Sequence, residues 1–179
     1  MLFRSFSAQK NHPGLLKIFA AVRARLPKAR LVLLGGGEPG YIEEIQNLAR
    51  SLGLGDSVIF AGVRSNMQGF YDAMDAFLLP SLFEGLPVVG MEAQASGLPC
   101  VFSTGVTEEV LLRPDSCRIS LEQPDEAWAA VLKDADRNLP DRAQAAAQVR
   151  AAGYDIRQET LRLQQLYTGL IAKRGAAHA

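Results

Sequence analysis

The chain is poor in the residues that build metal centres and covalent cross-links. Among 179 residues there are two cysteines and two histidines. Cys100 and Cys117 lack the spacing of metal ligands and have no histidine nearby, so they are predicted to be reduced thiols rather than zinc ligands or a disulfide pair. His12 and His178 form no cluster with them. No metal site is therefore predicted.

The chain also lacks an excess of charge and a long apolar run. Nineteen basic and nineteen acidic residues cancel, which removes the positive field that nucleic acid or an anionic membrane surface would require. No apolar stretch reaches membrane-spanning length, and the first residues do not have the profile of a signal peptide. We therefore expect a cytoplasmic protein in which any anion site is local.

What the sequence does contain is an alternation of predicted strands and helices. With 48% hydrophobic and 21% charged residues, the composition is that of one globular domain spanning residues 1–179. Strands are predicted at residues 3–7, 29–34, 57–61, 73–79, 98–102 and 117–119. Helices are predicted at residues 13–22, 41–52, 67–71, 87–95, 125–135, 141–151 and 155–172, the first of them capped by Asn11. The alternation predicts a doubly wound, parallel, Rossmann-like α/β sheet followed by C-terminal helices.

Two acids, Glu84 and Glu92, are the most informative residues for function. Glu84 lies in the loop after the strand at 73–79, and Glu92 lies inside the helix that begins at Pro87. Pro87 and Glu92 are separated by roughly 7–8 Å along the helix axis. The amino end of that helix lies between the acids, where unpaired N–H groups and the helix dipole favour a diphosphate. A nucleoside-diphosphate sugar would place its sugar at Glu84 and its ribose at Glu92, and Gly85 would let the backbone come close.

Each acid also has an ordinary interpretation. Glu84 can be a solvated loop acid, and Glu92 an early-helix acid favoured by the dipole. Glu92 is, however, the only charge between Pro87 and Ala95, in a helix that we expect to be largely buried beside the sheet. A lone acid in that environment needs a partner, and ribose hydroxyls would serve.

A glycine-rich turn competes with this site for the role of phosphate binder. Residues 35–40 satisfy G-x-G-x-x-G between a strand and a helix, which is the context of a nicotinamide or flavin dinucleotide loop. That motif also requires an acid at the carboxyl end of the following strand, where this chain has Val63 and Arg64, whereas Asp56 lies at the opposite end. A tight strand-to-helix turn accounts for most of these glycines, and close approach to a phosphate could account for Gly36.

Lys10 follows the first predicted strand. In a parallel sheet it shares the carboxyl edge, where such sheets bind ligands, with Gly36, Arg64, Glu84 and Ser103. Its ammonium can face a phosphate there, although a solvated lysine is the ordinary outcome.

Residues 60–65, 73–89 and 92–99 resemble the C-terminal domain of family 4 retaining glycosyltransferases of the GT-B fold, most of all the bacterial exopolysaccharide and capsule enzymes. The E-x7-E signature of that family is matched by Glu84 and Glu92, and its Gln-Lys-Asn-His turn by residues 9–12. The resemblance implies transfer of a hexose-type sugar from a nucleoside-diphosphate sugar to a polysaccharide, lipid-linked or other glycan acceptor. It further implies retention at the anomeric carbon and no required metal or other cofactor.

The same resemblance implies a role for each candidate residue. Glu84 and Lys10 would act at the reacting groups, with Glu84 at the donor sugar and Lys10 at the diphosphate, while Glu92 would bind the ribose. The other donor-binding candidates are Gly85, Leu86, Val88 and Val89 around the diphosphate, Val63 and Arg64 at the base, and Gly36 and Ser5.

The chain departs from the family in two respects. At Ser5 the family usually carries an arginine that contacts the diphosphate, so either Arg4 reaches in from a shifted register or one phosphate contact is lost. A slip of one residue in a strand turns the side chain to the opposite face, which disfavours the first alternative. The N-terminal acceptor domain of a GT-B enzyme is also absent, so we expect an isolated donor-binding half that is inactive or nearly so by itself.

The intact protein would combine this half with an N-terminal domain, in the cytoplasm or against the inner face of the membrane. Alone, its uncovered apolar surface would favour self-association. A degenerate domain retained for protein association, and less favourably a nicotinamide or flavin-binding domain, are the alternatives.

Overall fold

The computed structural model describes residues 5–135 and 142–176. The strands are β1 Ser5–Phe6, β2 Leu31–Leu34, β3 Gly36–Gly37, β4 Val58–Gly62, β5 Phe77–Leu79, β6 Cys100–Ser103 and β7 Cys117–Ile119. The helices are α1 His12–Arg25, α2 Pro39–Ser51, α3 Met67–Asp72, α4 Val88–Ala95, α5 Asp125–Ala135, α6 Arg142–Ala151 and α7 Ile156–Ala176. Strands and helices largely alternate as far as β7, and α5 to α7 follow as the predicted C-terminal helices.

Every strand pairing among the described residues is parallel. β1 pairs with β3, β2 with β4, and β5, β6 and β7 form one ladder in that order. Gly35 alone separates β2 from β3, so the segment 31–37 links the first two ladders. The loops after β1 and β5 are joined by a hydrogen bond from Leu82 N to Gln9 O of 2.8 Å. The predicted parallel α/β fold is confirmed.

Two local predictions were wrong. The strand predicted at 73–79 is reduced to β5, because the N–H groups of Ala73 and Met74 donate to the carbonyls of Phe70 and Tyr71 at 3.2 and 3.3 Å and end α3. The tight turn predicted at the glycines instead contains β3, which pairs with β1. Residue 3 of the first predicted strand, and Arg4 and residue 141 with them, lie outside the described residues.

The core is formed by strand side chains and by the inner faces of α1, α4 and α5. Phe77 of β5 and Phe102 of β6 are fully buried, with ring centroids 6.1 Å apart. Burial of one such ring stabilises the fold by about 3 kcal/mol at most. Because β5 and β6 are fixed by this pair, the loops that leave their carboxyl ends start from defined positions.

The helices at the end of the described chain differ in their contacts. α5 packs on α1 and α6 packs on α4, whereas α7 has no buried residue among its described side chains. One face of α7, called here the α7 apolar face, consists of exposed Ile156, Leu163, Leu166, Tyr167, Leu170 and Ile171. Within the described parts of the chain, no helix has the combination of length and apolar character that crossing a bilayer requires.

Candidate functional site

The loops after β1 and β5 meet at the carboxyl edge of the sheet. Asn11 adopts a left-handed conformation (φ 53°), accepts the N–H of Gly14 at 3.1 Å and so caps α1, as predicted. Its amide nitrogen also donates to Pro80 O at 3.1 Å, and the Gln9 side chain donates to Phe83 O at 2.9 Å. These contacts hold the turn before α1 against the loop that carries Glu84.

Glu84 forms an ion pair with Lys10. The Lys10 ammonium donates to Oε1 of Glu84, and the two side chains are only 15% and 13% exposed. Ser81 Oγ donates to the same oxygen at 3.3 Å. The backbone of Glu84 is fixed as well, since its N–H donates to Gly105 O at 3.0 Å in the loop after β6. The carboxylate of Glu84 is therefore fixed by hydrogen-bond and ion-pair partners and is not simply solvated.

The amino end of α4 lies just after Glu84. Pro87 is buried and precedes the helix as its cap residue, so α4 begins at Val88, one position later than the start predicted from sequence. Gly90 N donates to Pro87 O at 2.9 Å, whereas the N–H groups of Val88 and Val89 precede the helix ladder. Gly85 and Val88 are exposed, and Leu86 is half-buried. The positive end of the helix is thus accessible to an anion.

Glu92 lies four residues after the start of α4 and is half-buried. The hydroxyl of Tyr71 donates to Oε2 of Glu92 at 2.8 Å and lies 3.3 Å from Val89 O. Tyr71 belongs to α3, and its ring is 2% exposed. Sequence reasoning recognised that Glu92 needs a partner but missed Tyr71, whose only signal was a phenol in a short helix preceding the acid-bearing segment.

A third group of candidate residues lies at the ends of β1, β3 and β4. Ser5 and Gly36 are direct register partners. A side chain at Gly36 would begin 3.2 Å from Val63 Cγ2, and one at Gly37 would begin 2.6 Å from Phe6 Cβ. The glycines therefore allow β1 and the end of β4 to approach β3 closely. Val63 is 74% exposed and Arg64 is exposed, so both face the solvent beside Gly36.

His12 lies directly behind this edge of the sheet. Its ring is fully buried, stacks on Phe6 at 4.6 Å and meets the edge of Tyr41 at 5.8 Å. Burial lowers its pKa to about 4, with the nearby charge of Lys10 acting in the same direction and a backbone hydrogen bond to Ser7 opposing both. Burial also raises the pKa of Tyr41. A neutral imidazole thus supports the turn that presents Lys10.

The described residues contain no group of three or more histidine, cysteine, aspartate or glutamate side chains arranged to hold a metal ion. Positive charge beside Glu84 comes from Lys10 and from the start of α4. The structure thus brings Lys10 to Glu84, Gly36 to both Ser5 and Val63, and Tyr71 to Glu92.

The chain is similar in sequence to known glycosyltransferases. The family model described as glycosyl transferases group 1 matches residues 2–137. A relative from Bacillus subtilis strain 168, described as the putative glycosyltransferase EpsF, is 37% identical over 168 residues, which cover 90% of this chain and 42% of that protein. The Escherichia coli UDP-Gal:alpha-D-GlcNAc-diphosphoundecaprenol alpha-1,3-galactosyltransferase is 34% identical over 79 residues, covering 44% of this chain and 20% of that enzyme. The chain thus spans less than half the length of these relatives.

A solved structure shows the same fold. The crystal structure of Anabaena Alr3699/HepE in complex with UDP superposes with a TM-score of 0.77 at 20% identity, over 94% of this chain and 48% of that one. With the family match covering most of the sequence, the chain belongs to the glycosyl transferases group 1 family and has the fold of the C-terminal domain of a GT-B glycosyltransferase.

Proposed function

We propose that this chain binds a nucleoside-diphosphate sugar as the donor half of a retaining glycosyltransferase. The donor gives a hexose-type sugar to a polysaccharide, lipid-linked or other glycan acceptor. The observation that carries the proposal is the placement of two partnered acids on either side of the α4 amino end, with Lys10 bound to the nearer acid. Two carboxylates and a local cation match the two hydroxyl-bearing ends and the charged middle of such a donor.

The names of the similar proteins support this chemistry. The Escherichia coli relative is described as transferring galactose from UDP-Gal to a diphosphoundecaprenol-linked sugar, and the HepE crystals contain UDP. A UDP-linked hexose and a lipid-linked acceptor are therefore reasonable first choices of substrate class. An exopolysaccharide pathway is the setting that the sequence resemblance implies.

Lys10 and the α4 amino end are proposed to stabilise the transition state. Negative charge grows on the diphosphate as its bond to the sugar breaks, so fixed positive groups bind the transition state more strongly than the ground state. An ammonium has three N–H donors, and Lys10 can therefore keep its contact with Glu84 while it binds a phosphate oxygen. These groups supply the charge that a metal would otherwise supply, and on this proposal no metal is required.

Glu84 is proposed to position the donor sugar through its hydroxyls rather than to act as a nucleophile. Its Oε1 is occupied by Lys10 and Ser81, which fixes the direction of the carboxylate. Val63 and Arg64 are proposed to line the base, and Ser5 and Gly36, which are register partners, are proposed to form the floor beside it. Ser5 cannot replace the positive charge of the family arginine, so Lys10 carries a larger share of the diphosphate contact.

Acceptor binding is proposed to require a further domain. The relatives extend well beyond the aligned part, and the exposed Leu82, Phe83 and Val88 lie beside the proposed donor site. These side chains and the α7 apolar face would be covered by such a domain or, in its absence, by a second copy of the chain.

Calorimetric titration tests the donor proposal. UDP, UDP-glucose, UDP-galactose and the corresponding GDP compounds would be titrated into the wild-type chain and into Glu92→Ala. We expect binding of at least one donor and an affinity about tenfold lower in Glu92→Ala, because ribose hydroxyls lose a charged acceptor. Glu126→Ala, an exposed acid on α5, is the matched control and should bind as the wild type does. If no nucleotide sugar binds at millimolar concentration, or if both variants bind alike, the proposal is wrong.

A non-catalytic role in protein association is the second candidate, and the α7 apolar face favours it. If that were the function, analytical ultracentrifugation would show dimers, Leu163→Gln combined with Leu170→Gln would make them monomeric, and no nucleotide would bind. Self-association together with donor binding would instead agree with an exposed domain interface.

A further inference from the structure

The hydroxyl of Tyr71 lies between two oxygens of α4. Oε2 of Glu92 is 2.8 Å away, and the carbonyl oxygen of Val89 is 3.3 Å away. A phenol has one proton to donate, and the shorter contact to a carboxylate is the stronger of the two. Tyr71 therefore donates to Glu92 in this structure.

Tyr71 is itself held in place from several directions. Its ring is 2% exposed, and α3 is capped by Asn66, which accepts the N–H of Gly69 at 3.2 Å. At the other end of α3, the guanidinium of Arg142 donates to the carbonyls of Tyr71, Asp72 and Met74 at 3.4, 2.9 and 2.9 Å. These contacts hold the backbone of α3 in place, and burial of the ring limits the positions that the phenol can take.

A second contact ties α3 to the same turn of α4. The Gln68 amide donates to Ser96 Oγ at 3.4 Å, and Ser96 Oγ donates in turn to the carbonyl of Glu92 at 2.9 Å. Both the backbone and the carboxylate of Glu92 are thus connected to α3. A rigid element built on the core therefore determines where this carboxylate points.

We propose that Tyr71 is a positioning residue that orients the Glu92 carboxylate toward the ribose hydroxyls of the donor. The inference rests on the donor-binding function proposed above. A free glutamate side chain loses rotamer entropy when a ligand fixes it, whereas a carboxylate already held by Tyr71 loses less. Since the phenol is neutral, it orients the carboxylate without cancelling its charge.

The test combines Tyr71→Phe with ligands that differ only in the ribose. UDP and its 2′,3′-dideoxy counterpart would be titrated into the wild type, Tyr71→Phe, Glu92→Ala and the double variant. We expect Tyr71→Phe to weaken UDP binding about tenfold and to leave the affinity for the dideoxy compound unchanged. In the Glu92→Ala background, the further loss caused by Tyr71→Phe should vanish.

Val22→Ala provides a control for general destabilisation, because Val22 is buried near the far end of α1. Its thermal midpoint should fall without a change in UDP affinity. Equal losses for UDP and the dideoxy compound in Tyr71→Phe, or no loss at all, would assign Tyr71 a purely structural role and overturn the inference while the donor proposal stands. Failure of the wild type to bind any nucleoside diphosphate would overturn both.

A second measurement uses the wild type alone and covers the case in which Tyr71→Phe does not fold. The chain has four tyrosines, so ¹³Cζ-labelled tyrosine gives a small set of NMR signals that single Tyr→Phe variants at the other positions assign. UDP should shift the Tyr71 signal, because its Glu92 partner gains ribose contacts, and the dideoxy compound should not. Equal shifts with both ligands would contradict the proposal.

Discussion

The two ends of the proposed donor site hold their acids in different ways. At the loop end, defined as Glu84 with Lys10, the carboxylate is paired with a cation that comes from the turn after β1. At the helix end, defined as Glu92 with Tyr71, the carboxylate accepts a hydrogen bond from a buried, neutral phenol. The loop end is assembled from two loops, and the helix end from two helices.

The difference shows how each end can respond to a ligand. Lys10 has donors to share between Glu84 and a phosphate, so the loop end can change its contacts as charge develops on the donor. Tyr71 donates a single proton and is packed in the core, so the helix end keeps one geometry. We infer that the helix end contributes to affinity for the ribose, whereas the loop end contributes both to affinity for the diphosphate and to the chemical step.

The largest expected effect is a loss of folding stability at acidic pH. His12 supports the loop end and has a pKa of about 4 in the folded state, against an ordinary value of 6.5. The unfolded chain therefore binds a proton first as the pH falls, and stability is full above pH 6.5 and declines toward pH 4. The loss is about 2 kcal/mol between pH 7 and pH 5 and about 3 kcal/mol in total.

Urea unfolding at pH 7 and pH 5 would measure this loss. His12→Phe keeps a flat ring stacked on Phe6 and should show a free energy of unfolding that changes much less over the same interval. Equal pH dependence in the two proteins would show that His12 is not the titrating group.

The next largest effect is expected on UDP binding when the cation at the loop end is removed. Lys10→Met keeps the length of the side chain but removes a charged hydrogen bond to the diphosphate, which is worth about 2 kcal/mol, or roughly 30-fold in the dissociation constant of UDP. Uridine, which has no phosphate, should bind Lys10→Met as it binds the wild type.

Lys17→Met, at an exposed position of α1, is the matched control in the same titrations. If Lys10→Met weakened uridine and UDP equally, the two ends of the site would not be separate in function.

The smallest effect is expected for Glu84→Gln. The amide still accepts from Ser81 but no longer repels the diphosphate, so plain UDP should bind about two- to threefold more tightly, a small gain because the charge of Glu84 is already paired with Lys10. UDP-hexose should lose its advantage over UDP because the sugar loses a charged acceptor. Calorimetry with both ligands gives the ratio, and an unchanged ratio would exclude Glu84 as the sugar contact.

Much of the fold followed from sequence because its signals are local. The order of elements is given by apolar periodicity, and the cap at Asn11 was predicted from the residue type and observed as a hydrogen bond to Gly14 N. The prediction failed where the local signal was ambiguous. Residues 73 and 74 were predicted as strand but belong to the end of α3. Gly36 and Gly37 were predicted as part of a turn but pair with β1.

The site was predicted only in part, because its contacts join distant residues. The sequence placed Lys10 and Glu84 at one edge of a parallel sheet, yet their ion pair connects positions 74 residues apart. The sequence indicated that Glu92 needs a partner but did not identify Tyr71. A tyrosine in a short helix has the same local pattern whether it packs on a core or binds an acid.

By itself, then, the sequence determined the parallel α/β architecture, the E-x7-E acids and the helix start between them, because backbone propensity and residue spacing are properties of neighbouring positions. Only the tertiary structure decided the partners of those acids. Lys10 reaches Glu84 through packing of the turn after β1 against the loop after β5, and Tyr71 reaches Glu92 through packing of α3 against α4. Such contacts depend on how burial of the whole core brings separate elements together, and no local pattern records that.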